Sequence, residues 1–293
     1  MVTTNRRNFL HKAALGLTAV VAGAGRFRHS TANPLGMPIG LQLYTVRDEL
    51  ANDVTGTIRR VAGIGYKQLE VYEFYGRSAS EFRELLQANG LMAPSAHYMT
   101  KHIGSDWEKH IAFAKEVGIK YMVNAILEPS ERRAFDDYKK LADLFNQAGE
   151  RTRKAGIQFC YHNHNFEFKV YGDTTAYDFL LKELDPQLVK FEMDCFWVTH
   201  AGQDPVAYFK KHPGRFPLLH IKDLKAGIPA ATEMDARLGL FAEVGHGTID
   251  WKRIFASAHL GGVEHYFVEQ DFCERPPLES IKMSYKYLNT LKV

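Results

Sequence analysis

An apolar run closed by a polar or charged residue, followed by an amphipathic stretch, recurs eight times along the chain. The runs are "IGLQLYT" (39–45), "YKQLEVY" (66–72), "MAPSAHY" (92–98), "KYMVNAI" (120–126), "IQFCYHN" (157–163), "VKFEMDC" (189–195), "PLLHIKD" (217–223) and "HYFVEQD" (265–271). Their starts lie roughly 25 to 50 residues apart, room for one helix between parallel strands. The stretches between them carry helix punctuation. Ser78-x-x-Glu81 and Ser105-x-x-Glu108 read as capping boxes, and Gly90 and Gly118 as C-terminal stops. Asp204-Pro205 and Asp250 read as helix starts, and residues 135–156 as the longest helix. Strand–helix alternation repeated eight times predicts an α/β fold, a (β/α)8 TIM barrel over residues 38–293. The competitor, a doubly wound open sheet, wants a Gly-rich loop after its first strand, and "YTVRDEL" has no glycine there. The long interval 224–264 predicts an inserted loop, "KAGIPAATEMDARLGLFAEVGHGT".

The first thirty-three residues stand apart. "TTNRRNFLHKAALGLTAVVAGAG" pairs Arg6 with Arg7 ahead of an apolar run too short for a membrane span. It resembles a twin-arginine export signal, with residues 1–33 as signal and linker. The expectation is an exported or periplasmic protein, tethered to a membrane only through an uncleaved signal. A basic, disordered N-terminus of a cytoplasmic protein is the plainer alternative. Residues 1–30 hold five basic residues and no acid, so without them the formal charge goes from +3 to about −2. That near-neutral body argues against nucleic acid as partner, which needs a clustered basic face. Three cysteines, Cys160, Cys195 and Cys273, lack the spacing of a disulfide framework and read as buried thiols.

Barrel chemistry sits at the carboxyl ends of the strands. Those ends carry Gln42 and Tyr44, Glu70, His97, Asn124, His162 and His164, Asp194, His220 and Lys222, and Glu269. Any one of them reads as a wet rim. As a set they say more: Asp194, His220 and Glu269 come from strands six, seven and eight, which are neighbours in a barrel. Packed carboxylates repel unless a cation joins them, and two carboxylates with an imidazole suit Mn²⁺, Mg²⁺, Fe²⁺, Co²⁺ or Zn²⁺. Strand parity points His162 and His164 inward together, and places Lys222 beside His220. Asp223 then points into the barrel–helix layer. Glu192 shares the parity of Asp194 one layer deeper, and Asp271 that of Glu269 further out.

Read in order, "LQLYTVRDEL", "GYKQLEVYEFYG", "SAHY", "YHNHNFEF", "FEMDCFWVTHAGQDP", "HIKD", "EVGHGTIDW" and "VEQD" resemble the sugar phosphate isomerase/epimerase family, the xylose isomerase-like barrels. The resemblance implies one divalent metal (Mn, Mg, Co, Fe or Zn) held by Glu, Asp, His and Glu from strands five to eight. Asp194, His220 and Glu269 match the last three. At the first, where many members read "ENH", this chain reads "HNH". Either His162 replaces the carboxylate or Glu167 curls back to supply it; Glu167 is preferred because it restores the set. A centre without metal is the third reading. The resemblance further implies a carbohydrate substrate and enediolate chemistry leading to isomerisation or epimerisation; the lack of a Gly-rich anion loop near strands seven and eight, and the expected export, argue that this carbohydrate is not phosphorylated. Glu269, Lys222 and His164 are its acid–base candidates, and Gln42, Glu70, His97 and Trp197 its sugar-binding candidates. "EVGHGTID" is weighed as an anion loop ahead of a helix. The same enolising machinery can expel a leaving group, so a metal-dependent lyase or hydrolase of 3-keto-glycosides is the alternative. A non-catalytic sugar-binding barrel and a DNA-repair endonuclease are weaker ones. A homo-oligomer is left open.

Overall fold

The computed structural model describes residues 33–104, 106–235 and 239–293. Eight strands close into a barrel in chain order: β1 (Gly40–Gln42), β2 (Gln68–Val71), β3 (Met92–Tyr98), β4 (Tyr121–Asn124), β5 (Gln158–His162), β6 (Val189–Asp194), β7 (Leu218–Ile221) and β8 (His265–Val268). Every neighbouring pair is parallel, and β8 pairs back onto β1. The returning helices are α1 (Val54–Ile64), α2 (Ala79–Ala88), α3 (Trp107–Val117), α4 (Phe135–Lys154), α5 (Ala176–Glu183), α6 (Pro205–Lys211), α7 (Trp251–Gly261) and α8 (Pro277–Thr290). The expected (β/α)8 fold is the observed one.

The local signals work as physical chemistry requires. Ser78 accepts from the Glu81 N–H and Glu81 accepts from the Ser78 N–H, a closed capping box on α2. Asp204 caps α6 ahead of Pro205, Asp250 caps α7, and Gly118 ends α3 in the left-handed region. Ser105, the second expected cap, lies outside the described residues; Asp106, which precedes α3, makes no side-chain cap bond. The expected export signal likewise falls on residues 1–32, outside the described ones, with only Asn33 of that segment described.

Alternation sorts the barrel into two faces. Phe159, Tyr161, Phe191, Met193, Leu219 and Ile221 point outward into the helix layer, where each is fully buried. Tyr121, Val123, Cys160, Leu218 and Phe267 form a separate small apolar cluster inside the barrel. Polar side chains of the same parity stand above that plug, so the plug becomes the dry base of the site. Closure between β1 and β8 depends on Gly40, where a Cβ would lie 2.4 Å from the Phe267 ring and 2.7 Å from the Tyr266 carbonyl oxygen. Cys160 and Cys195 are buried free thiols, while Cys273 is half-buried.

The expected insertion after β7 begins as an antiparallel ribbon, Asp223–Leu224 against Phe241–Ala242. Asp223 faces away from the lumen, as parity predicts, and organises the segment. Its carboxylate accepts from the backbone N–H of Leu224 (2.9 Å), Gly245 (2.8 Å) and Ile249 (3.1 Å) and from Trp251 Nε1–H (2.9 Å). Gly247 is required here, since a Cβ would meet Asp223 Oδ1 at 2.2 Å. "EVGHGTID", weighed only as a possible anion loop, does not serve as one: its Gly245 and Ile249 amides are taken by the chain's own carboxylate.

Candidate metal centre and cavity

The carboxyl ends of β5 to β8 bring three of the expected ligands together. Asp194, His220 and Glu269, all buried, each offer a ligand atom within 4.8 Å of the others, and His220 Nδ1 lies 3.8 Å from Asp194 Oδ2. Register explains part of this, because Asp194 is paired with His220 across β6 and β7. Asp194 also caps the short helix Cys195–His200: its Oδ1 accepts from the Trp197 N–H at 3.0 Å, which leaves Oδ2 for the centre. His162 Nε2 approaches the same Oδ2 at 3.6 Å, and His220 Nδ1 lies 2.9 Å from Glu269 Oε2.

The far nitrogens of both imidazoles are already engaged. His162 Nδ1 pairs with Glu192 Oε2 at 2.9 Å, and His220 Nε2 pairs closely with Glu70 Oε2. A carboxylate on one ring nitrogen sets the tautomer and turns the other lone pair to a metal. A second group of donors, His97, His162, Glu192 and His220, also converges. There, however, the imidazole nitrogens surround Glu192 as hydrogen-bond and ion-pair partners. Asp194 Oδ2 and His220 Nδ1 also have charged neighbours, Lys222 Nζ at 2.9 Å and Glu269 Oε2 at 2.9 Å, but the carboxylate of Glu269 lines the cavity, whereas that of Glu192 does not. The upper set, His162 Nε2, Asp194 Oδ2, His220 Nδ1 and Glu269 Oε2, is therefore the one that fits a divalent cation, with two nitrogens and two carboxylates suited to a borderline or hard ion.

Charge is finely balanced. Burial opposes ionisation of Glu70, but His97 and His220 outweigh it and hold its carboxyl well below the usual range. Burial opposes protonation of His97, yet Glu70 and Glu192 bring it up to about 9. His220 is raised in the same way, against burial, by Glu192, Glu70 and Glu269. Burial, joined by the neighbouring rings of His220, His164 and His97, keeps His162 well below its usual value and hence neutral. Lys222 is wholly buried between acids, its Nζ 2.9 Å from Asp194, 2.6 Å from Glu269 and 3.1 Å from Asp271. Burial works against its charge, and those three carboxylates hold it on. Asp271 gives this ammonium a partner outside the four-donor set.

Above the centre opens a cavity of about 420 Å³. His97, His162, His164, Lys222, Glu269 and Asp271 supply its polar walls. His164 stands at the rim, stacked on Phe166 at 5.4 Å, with its Nδ1 free of hydrogen bonds to the described residues.

Four sequence expectations change. Glu167 is not in the metal set: the turn Phe166–Phe168 carries it to the outer side of β5, where it accepts from Tyr161 Oη–H and from the His164 N–H at 2.9 Å. Gln42 and Glu70 are not among the cavity-lining residues but lie beneath it. Gln42 Nε2 donates to Glu70 at 2.9 Å and Ser95 Oγ donates to the same carboxylate, so both residues support His220 and His97 rather than meeting a sugar. Trp197 is fully buried against Phe196, His164 and Phe241 and does not line the cavity. Glu192, set aside as the deeper acid, is the partner that aims His162, and Asp271 lines the cavity. Both carry the right strand parity, the one signal in the sequence that marks them.

An eight-stranded parallel barrel with acids and imidazoles gathered at the carboxyl ends of its strands defines a TIM-barrel enzyme. The chain belongs to the xylose isomerase-like TIM barrel family, whose pattern it matches over residues 58–291. It is similar to the inosose dehydratase of Lacticaseibacillus casei, 26% identical over 274 residues spanning 82% of this chain and 91% of that protein. The inosose dehydratase of Geobacillus thermodenitrificans is 25% identical over 272 residues, with 82% and 91% covered. Among solved structures, a sugar phosphate isomerase/epimerase from Parabacteroides distasonis aligns with a TM-score of 0.72 at 29% identity, covering 86% of this chain and 94% of that one.

Proposed function

We propose that the protein is a divalent-metal-dependent lyase acting on a cyclic keto-sugar or keto-polyol that carries no phosphate. The observation that carries this is the grouping of the acids that face the cavity. Glu269 and Asp271, the two carboxylates among the lining residues, both pair with the Lys222 ammonium, while the imidazoles of His97, His162 and His164 supply other polar lining. Epimerisation exchanges a proton between two faces of one carbon and wants a base on each. Elimination wants a base on one side and a proton donor for the departing oxygen.

In the proposed reaction a carboxylate of the Glu269–Asp271 pair takes the proton α to the ketone. The C–H pair becomes a C=C bond, the C–O bond at the β carbon breaks, and the departing oxygen takes the proton from the carboxylic acid just formed and leaves as water or an alcohol. Lys222 holds the carboxylates in place and His164 binds a hydroxyl. A metal held by His162, Asp194, His220 and Glu269 would supply Lewis-acid polarisation of the ketone. The named inosose dehydratases support elimination; the isomerase/epimerase from Parabacteroides distasonis supports re-addition of the proton, the second reading. Occupation of the Gly245–Ile249 amides by Asp223 favours an uncharged substrate.

The test is product mass in D₂O with scyllo-inosose and methyl 3-keto-glucoside as substrates. Elimination removes water or methanol from the parent. Recovery of an isomer of unchanged composition bearing one deuteron would replace this reading with the isomerase one.

A further inference from the structure

Two chemistries meet in the cavity: its floor is charged, and its mouth is aromatic. Among the described residues five large apolar side chains are exposed, and two of these, Tyr44 and Phe272, border this cavity. Tyr72 joins them, edge-on to Tyr44 at 5.4 Å. Tyr98 and Ile126 continue the apolar lining. A single hexose, on the order of 200 Å³, leaves about half of this cavity unfilled; seated on the charged floor, it leaves the aromatic half.

The mouth is also braced. Arg47 lies 4.1 Å over the Tyr44 ring and 5.8 Å from that of Phe272. It donates to the Tyr44 carbonyl at 2.8 Å and to the Asp271 carbonyl at 3.0 Å, clamping the segments after β1 and β8 together. On the other side Tyr72 packs edge-on against Tyr75 at 6.0 Å, and Tyr75 is the one non-glycine residue at positive φ (55°) among the described residues. A tyrosine held in the left-handed region is a strained conformation that surrounding structure must enforce. Fixed rings lose little freedom on meeting a flat ligand.

We propose that this mouth is a subsite for a planar aromatic group carried by the sugar, so that the substrate is an aryl glycoside oxidised in its sugar ring, with the aryl alcohol as leaving group. The subsite deepens the lyase reading and rests on it for the fate of the bond, whereas binding of the aryl group does not.

Calorimetric titration of the purified protein with phenyl β-glucoside, methyl β-glucoside and cellobiose tests it. The phenyl compound should bind about tenfold tighter than the methyl one, the scale of a stacked aromatic pair, and cellobiose should show no such gain. Tyr72→Ala and Phe272→Ala should each pull the phenyl-to-methyl ratio down to about twofold, and Tyr72→Phe should keep it. Equal affinity for phenyl and methyl glucosides overturns the subsite, as does undetectable binding of the phenyl compound or a ratio that survives both alanine variants. A gain with cellobiose equal to that with phenyl reassigns the mouth to a second sugar ring and also overturns it. Aryl preference without phenol release from oxidised phenyl glucoside sinks the elimination and leaves the subsite standing.

Discussion

Glu192 behind His162 and Glu70 behind His220 decide which nitrogens face Asp194 and Glu269. Removing one such carboxylate leaves every proposed ligand in place yet costs metal affinity. Glu192→Gln should weaken binding about 10- to 100-fold, read by competition with a chromophoric chelator, with unchanged affinity contradicting the assignment. Glu167 makes the opposite case. Its carboxyl is pushed up to about 7 by burial, against its bonds from Tyr161 and His164. Between the usual 4.5 and 7 the folded protein keeps a proton that the unfolded chain has lost, so stability falls as pH rises through that window. Glu167→Gln should remove that fall, on the order of 3 kcal/mol, in denaturant titrations at pH 5 and pH 8, and should leave metal uptake intact. Metal loss in this variant would restore Glu167 as a ligand. Period-two parity made His162, Asp194, His220, Lys222 and Glu269 legible in the sequence. Glu167 was misread because parity ends with the strand, and the turn Phe166–Phe168 that reverses its direction has no pattern of its own.

At the level of elements, the eight strand–helix units could be read directly, because each carries both an apolar run and a cap. The ribbon after β7 could be anticipated only as an insertion, since its order comes from one buried side chain. Asp223 gathers four N–H groups from Leu224, Gly245, Ile249 and Trp251. Asp223→Ala strands those donors, and hydrogen bonds to a buried charge contribute about 1.5–3 kcal/mol each. The variant should lose at least about 3 kcal/mol in urea denaturation. A loss under about 1 kcal/mol would show the ribbon holding itself. Gln42 and Trp197 illustrate the limit of reading strand ends alone: both sit where a sugar-binding residue would, yet one props Glu70 and the other fills the layer behind Asp194.

For the whole molecule, no helix among the described residues is long and apolar enough to cross a membrane, and we propose that residues 1–33 direct export. Replacing Arg6 and Arg7 with lysine should leave the protein in the cytoplasmic fraction of a Gram-negative host, whereas the unaltered chain reaches the periplasm; equal distribution of the two would dismiss the signal. On the proposed reading, the barrel brings four strand ends around one cation. The most direct measurement is therefore the metal content of the purified protein after exposure to Mn²⁺, Co²⁺, Fe²⁺ and Zn²⁺ and removal of excess, beside that of Asp194→Asn and His220→Ala. The account predicts about one equivalent of a divalent metal in the parent and a small fraction of that in both variants. A parent that takes up none of these metals, or variants that retain a full equivalent, would contradict it.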